Sequence, residues 1–153
     1  MLSLAGLRKH TVLLAGVTYP ELLARLEPFF DVDSAVDADL LDAVVLRMRL
    51  AGKSALIASQ TAPIDASLLA ALPHLKAVCR IGASHDAIDL EACTRAGVLV
   101  TNTATLGRDE AARQRMALAA ADNLIAAFGF GRRAGHPANL LNAELRCTLG
   151  CCL

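Results

Sequence analysis

At 153 residues, with 55% hydrophobic and 20% charged side chains, the chain has the length of one domain and enough apolar residues for one core. Fifteen basic residues against fifteen acidic ones leave no net field, which disfavours capture of nucleic acid or of an anionic membrane. No run of about 18 apolar residues is present to cross a bilayer, and MLSLAGLRKHTVLLAG places its charges after a short apolar run, so it does not read as a signal peptide and a cytosolic location is expected.

The apolar content is mostly small aliphatics, with no tryptophan and one tyrosine, which suits strands buried on both faces and alanine-rich helices. The run TVLLA at 11–15 predicts a first strand. Pro20 then stands where a helix start tolerates it, and Leu22, Leu23, Leu26 and Phe29 recur at helical spacing. A short second strand is expected at 30–32, a helix within 38–50 that Gly52 ends, and a third strand at 54–58. Asp65 can cap a helix bearing Leu68, Leu69 and Leu72, and LKAVCR at 75–80 returns as the fourth strand. Asp89 caps the helix LEACTRA, which Gly97 stops, and a fifth strand follows at 98–101. Strands alternating with helices across short connections predict an α/β fold, a flavodoxin-like doubly wound parallel sheet in the order 2-1-3-4-5 with helices on both faces.

Beyond the sheet, Met116, Ala120, Leu124 and Phe128 recur every four residues and predict a helix over about 108–128, with Asp109 and Glu110 complementing the dipole of its first turn. The tail from Gly129 is rich in glycine, proline and asparagine and reads as irregular. Of the five cysteines, Cys79 and Cys93 fall inside predicted elements as small buried thiols. Cys147, Cys151 and Cys152 crowd a tail expected to fray over 147–153. With His136 as the one nearby addition they make a poor metal set, so no metal is expected. Gly129-Phe130-Gly131-Arg132-Arg133-Ala134 matches a dinucleotide GxGxxA pattern but follows a helix instead of a strand, and so reads as a helix end and loop.

Ligands of such a sheet bind beyond the carboxyl ends of its strands, in the loops 16–20, 59–63, 81–89 and 102–107. In the third loop Gly82, Ala83 and Ser84 are small residues leaving a strand, where backbone N–H groups could hold an anion; the same residues also suit a plain turn. His85 beside Asp86 suggests an acid–base pair, yet adjacent side chains diverge, so a surface or turn histidine is the simpler reading. A phospho-acceptor receiver would end its first and third strands in acidic residues. Here Gly16-Val17-Thr18 and Ser59-Gln60 stand there, and no serine- and threonine-rich flavin phosphate loop follows strand one.

The stretch LPHLKAVCRIGASHDAIDLEACTRAGVLVTNT, residues 72–103, resembles the substrate-domain signature LPxLKxIxRxGxGxDxIDxxAAxxxGIxVxNT of the D-isomer-specific 2-hydroxyacid dehydrogenases. HTVLLAGVTYPELLARLEPFFDVD is similar to that family's first strand and helix, and AADNLIAAFG with Asn142-Ala143-Glu144-Leu145 to the C-terminus of its glyoxylate, hydroxypyruvate and 2-ketogluconate reductase branch. The resemblance implies an oxidoreductase family that uses NAD(P) on a small 2-oxo or 2-hydroxy carboxylate. It also implies that a nucleotide-binding domain normally inserted after VTNT is absent, which leaves a single substrate domain over 1–146, in two parts, 1–103 and 104–146. The family's glycine-rich turn, its arginine and its glutamate-held histidine lie on or at the end of that insert, so no catalytic and no cofactor-binding residue carries over.

What the resemblance does transfer is substrate binding at Gly82, Ala83, Ser84 and His85, by backbone N–H groups at Ala83 and Ser84. Ser84 replaces a usual glycine and Ala87 a usual asparagine; a positive φ at Ser84 would cost about 1 kcal/mol. Two functions compete on this reading. One is the substrate-binding domain of a 2-oxoacid reductase, inactive alone and served by a separate NAD-binding domain. The other is a non-catalytic flavodoxin-like module or truncated remnant. Loss of the insert would bare surface and favour self-association.

Overall fold

Apolar runs without polar alternation bury both of their faces, and three such runs occupy the middle of the sheet. In the computed structural model, which describes residues 9–16, 19–35, 39–104, 106–131 and 137–143, the strands are β1 (His10–Ala15), β2 (Phe30–Ser34), β3 (Ala55–Ala58), β4 (Ala77–Arg80) and β5 (Leu99–Thr101). They form one parallel sheet in the order β2-β1-β3-β4-β5. This is the predicted doubly wound order.

Between the strands run α1 (Pro20–Leu26), α2 (Ala43–Leu50), α3 (Ala66–Ala70) and α4 (Leu90–Ala96), and α5 (Glu110–Ala127) follows β5. The two-residue period of the strands divides the core. Leu13, Leu56, Val78 and Val100 point to one face, where Leu46, Leu50, Leu68, Leu69 and Cys93 of α2, α3 and α4 cover them. Leu14, Ile57, Cys79 and Leu99 point to the other, under Leu22 and Leu26 of α1 and Met116, Ala120 and Leu124 of α5. The alanines of α5 let it lie close on β3, β4 and β5, and Arg25 of α1 pairs with Asp122 of α5 at 3.2 Å on the solvent side.

Helix ends follow the sequence closely. Pro20 sits in the first turn of α1. Asp65 caps α3 through Leu68 N–H, Asp89 caps α4 through Ala92 N–H, and Gly97 ends α4 in the left-handed region at φ 77°. Asp42 caps α2 by accepting from Val44 and Val45 N–H, which sets that helix's start at Ala43 inside the predicted range. Asp109 lies before the helix it was expected to be inside, accepting from Ala112 N–H as the cap of α5.

The described part of the tail holds no α-helix or strand, in keeping with its expected irregularity, yet it pairs with the sheet edge. Residues 137–143 lie along β5, with Leu140 bridging antiparallel to Thr101 and Leu141 N–H donating to Val100 O at 2.8 Å. Asn142, 2% exposed, acts as a strand in miniature: its Oδ1 accepts from Val100 N–H at 2.9 Å and its Nδ2 donates to Val98 O at 2.7 Å. A single bridge and one side chain carry no periodicity, so no hydrophobic pattern announces the pairing. The predicted frayed segment 147–153 lies outside the described residues.

Candidate functional site

β4 ends at Arg80, and residues 81–89 carry the chain to α4 across the carboxyl edge of the sheet. The turn out of the strand is made at Gly82, whose φ of 104° is a backbone conformation that other residues rarely adopt. A Cβ there would meet nothing within 4 Å, so the torsion and not the space selects glycine.

Neighbouring elements then hold the loop peptide by peptide. Ile81 N–H extends the ladder by donating to Ala58 O at 2.9 Å. Thr103, just past β5 and 2% exposed, makes a reciprocal pair with Gly82: Gly82 N–H donates to Thr103 Oγ1 at 2.8 Å, and Thr103 N–H donates to Gly82 O at 3.2 Å. Asn102 Nδ2 donates to Ala83 O at 3.0 Å, while Asn102 O accepts from Asn123 Nδ2 of α5 at 3.1 Å. Arg80 Nε donates to Ser84 O at 2.8 Å, and Ile88 N–H to His85 O at 2.9 Å. At the far end the isolated bridge between Ile64 and Ile88 fixes the loop to the segment before α3.

The four residues expected at the site are therefore together on one loop, in different roles. Gly82 supplies its torsion, because its N–H is taken by Thr103. Ala83 and Ser84 are exposed, and their N–H groups have no acceptor among the described residues. Ser84 does not take a positive φ; the one non-glycine that does among the described residues is Asn139, so the condition for strain at Ser84 is not met and Gly82 makes the turn. His85 and Asp86 do not pair: Asp86 Oδ2 accepts from the Ser84 hydroxyl at 3.4 Å, and His85 Nδ1 is buried with no partner among the described residues. Arg80, Asn102, Thr103 and Asn123 escaped the sequence reading as site residues, although the first three lie within the quoted signature and Asn123 within AADN.

Burial lowers the proton affinity of the Arg80 guanidinium, and the charge of Asp86 partly restores it. No carboxylate forms an ion pair with Arg80 among the described residues. The two described thiols, Cys79 and Cys93, are the wrong kind for chemistry. Burial pushes Cys79 up to about 12, against a smaller lowering by the Thr101 hydroxyl, and burial and then the Asp89 charge push Cys93 up to about 11. Both stay protonated and inert near neutral pH. The described residues hold no cluster of three or more metal-ligating side chains; Cys147, Cys151, Cys152 and His136 fall outside them. A hollow of about 310 Å³ lies between α2 and α3, lined by Val44, Arg47, Pro63, Asp65 and Leu68 among others, and no residue of the 81–89 loop lines it.

A dinucleotide does not fit these helix ends. A pyrophosphate needs a free helix N-terminus after a glycine-rich turn. Here α2, α3, α4 and α5 each have an aspartate carboxylate seated on their first N–H groups, and α1 opens with Pro20 and Glu21. At the GxGxxA stretch, Gly129 N–H donates to Ala126 O and Phe130 N–H to Ile125 O, which makes the described part of it the end of α5; residues 132–134 lie outside the description. No helix among the described residues is long and apolar enough to cross a membrane.

Comparison with known proteins agrees with this fold. A family model described as the D-isomer specific 2-hydroxyacid dehydrogenase, catalytic domain, matches residues 21–139. A glyoxylate reductase from Aeropyrum pernix is 31% identical over 92% of this chain and 45% of its own length. A glyoxylate reductase from Korarchaeum cryptofilum is 30% identical over 80% of this chain and 39% of its own. A solved structure of a Pyrococcus horikoshii protein superposes with a TM-score of 0.56 at 25% identity, covering 62% of this chain and 28% of that one. The chain thus spans less than half the length of the curated relatives it matches.

Proposed function

The chain belongs to the D-isomer specific 2-hydroxyacid dehydrogenase family, as part of its catalytic domain, and from that premise we propose that it holds the carboxylate of a small 2-oxo or 2-hydroxy acid without turning it over alone. The observation that carries this is the loop at the end of β4, where the exposed Ala83 and Ser84 present N–H groups with no acceptor among the described residues. Two unpaired amides at the carboxyl edge of a parallel sheet are a cradle for one carboxylate, since its oxygens accept several hydrogen bonds.

In this reading residues 1–146 form one substrate domain, split at 103–104 where a nucleotide-binding domain would otherwise be inserted. The short connection from Thr103 to Asp109 supports it, because it leads directly into a helix packed on the same sheet. NAD(P) chemistry then belongs to a partner domain supplied separately, in the cytoplasm. The aspartate-capped helices offer the cofactor no pyrophosphate seat.

A titration of the nitrogen-15-labelled chain with glyoxylate, followed by amide NMR, tests the reading. Saturable shifts confined to residues 82–86 and neighbours are expected, and an NADH fluorescence titration should show no saturable binding. Glyoxylate shifts scattered over the surface, or none at all, would reject the site.

A further inference from the structure

In a trans peptide the carbonyl and the following N–H leave on opposite sides, and none of the described peptides is cis. Three consecutive carbonyls of the β4–α4 loop are gripped from within the fold. Gly82 O is held by Thr103 N–H at 3.2 Å, Ala83 O by Asn102 Nδ2 at 3.0 Å, and Ser84 O by Arg80 Nε at 2.8 Å. Each grip turns the next N–H, those of Ala83, Ser84 and His85, away from the gripping group. None of these three has an acceptor among the described residues.

We propose that Arg80 and Asn102 are the positioning residues of the carboxylate cradle: by fixing the Ser84 and Ala83 carbonyls they present the His85 and Ser84 N–H groups beside that of Ala83. The proposal rests on the reading of this loop as the carboxylate-holding loop, and adds a third donor and the two side chains that preorganise it. Preorganisation matters here because a small anion offers few contacts, and each donor that must reorient on binding subtracts from a small total.

The chemistry of the two grips differs in a useful way. Asn102 is neutral, and its own main-chain oxygen is held by Asn123 of α5. A chain of hydrogen bonds therefore runs from the covering helix to the loop. Arg80 is charged, half-buried and free of any carboxylate partner among the described residues, with Asp86 acting on it from the same loop. A guanidinium bonded through Nε keeps its planar fork oriented, so the Ser84 peptide has one orientation instead of several.

The experiment compares the wild-type chain with Arg80→Met and Asn102→Ala, both by amide NMR during titration with glycolate, and by thermal melts. In the wild type the Ala83, Ser84 and His85 amides are expected to shift together on one binding curve. Each variant should keep its fold and weaken glycolate binding about fivefold, the scale of one lost hydrogen bond, with the free-state His85 amide moving in Arg80→Met and the Ser84 amide in Asn102→Ala. Weakening in Arg80→Met alone would mean that the charge attracts the anion and the grip does nothing, which overturns the proposal. Unchanged binding in both variants would also overturn it, while leaving the loop as the carboxylate site. If glycolate fails to shift these amides in the wild type, the site reading falls and the proposal with it. Should Arg80→Met fail to fold, Asn102→Ala with its Ser84 readout decides the matter alone.

Discussion

Replacing Asn142 by leucine removes two hydrogen bonds from the edge of the sheet while keeping the branching and heavy-atom count of the side chain. The side chain is 2% exposed and serves Val100 N–H at 2.9 Å and Val98 O at 2.7 Å, with a longer 3.4 Å contact to Thr94 Oγ1. A buried amide or carbonyl left without a partner costs about 1–3 kcal/mol, and the added apolar surface of leucine returns about 1 kcal/mol. For the two groups together the net loss is then about 1–5 kcal/mol, and in a domain of this size that lowers Tm by roughly 2–20 °C. Urea denaturation followed by circular dichroism measures it, and an unchanged m-value would place the loss in the folded state. Asn142→Asp sharpens the test. It keeps the acceptor for Val100 but sets a carboxylate against Val98 O, so its penalty at pH 7 should shrink as acid protonates the new carboxyl and restores a donor. A loss below about 1 kcal/mol in Asn142→Leu would refute the assignment of the β5 edge to this side chain.

Gly82→Ala forces a Cβ onto a φ of 104° with no steric contact, so it should cost about 1–3 kcal/mol in a urea melt and abolish the glyoxylate-induced shifts at Ala83 and Ser84; normal stability would show that the turn re-forms. Cys79 holds its proton up to about 12 in the fold, against 9.0 for an ordinary thiol. Below pH 9 both states are protonated, and above it the unfolded chain releases its proton first. Stability should therefore fall through that window, by at most about 1.4 kcal/mol per pH unit from this group. Urea midpoints at pH 8 and 10.5 should draw closer in Cys79→Ala. Leu124, on the buried face of α5 and fully covered, should cost roughly 3 kcal/mol as alanine, and a negligible change would mean that α5 does not close the core. Mixed with glyoxylate and NADH, the chain should leave the absorbance at 340 nm (the usual NADH band) unchanged; turnover by clean protein, abolished by changing His85, would overturn the division of labour.

The sheet order, the caps at Asp65 and Asp89 and the stop at Gly97 were legible because each has a local cause: a period of two, a short acceptor side chain, a left-handed turn. The edge pairing of 137–143 was not, because one bridge and the Asn142 amide leave no repeating pattern. At the site, sequence pointed to the loop and to Gly82, Ala83, Ser84 and His85. It missed that Gly82 spends its N–H on Thr103, and that Arg80 and Asn102 hold the neighbouring carbonyls. Those contacts join residues 21, 4 and 19 apart, and no spacing rule spans all three.

The position of α5 in the chain bears on how the protein is made. It follows all five strands, yet Met116, Ala117, Ala120, Ala121 and Leu124 supply much of the cover for one entire face of the sheet. During synthesis, strands β3, β4 and β5 emerge with Ile57, Cys79 and Leu99 lacking the cover of α5 until residue 127 has left the ribosome, while α1 already stands beside β1. The nascent chain is thus most vulnerable to aggregation and to chaperone capture just before α5 arrives, and premature termination within α5 would release a half-covered sheet.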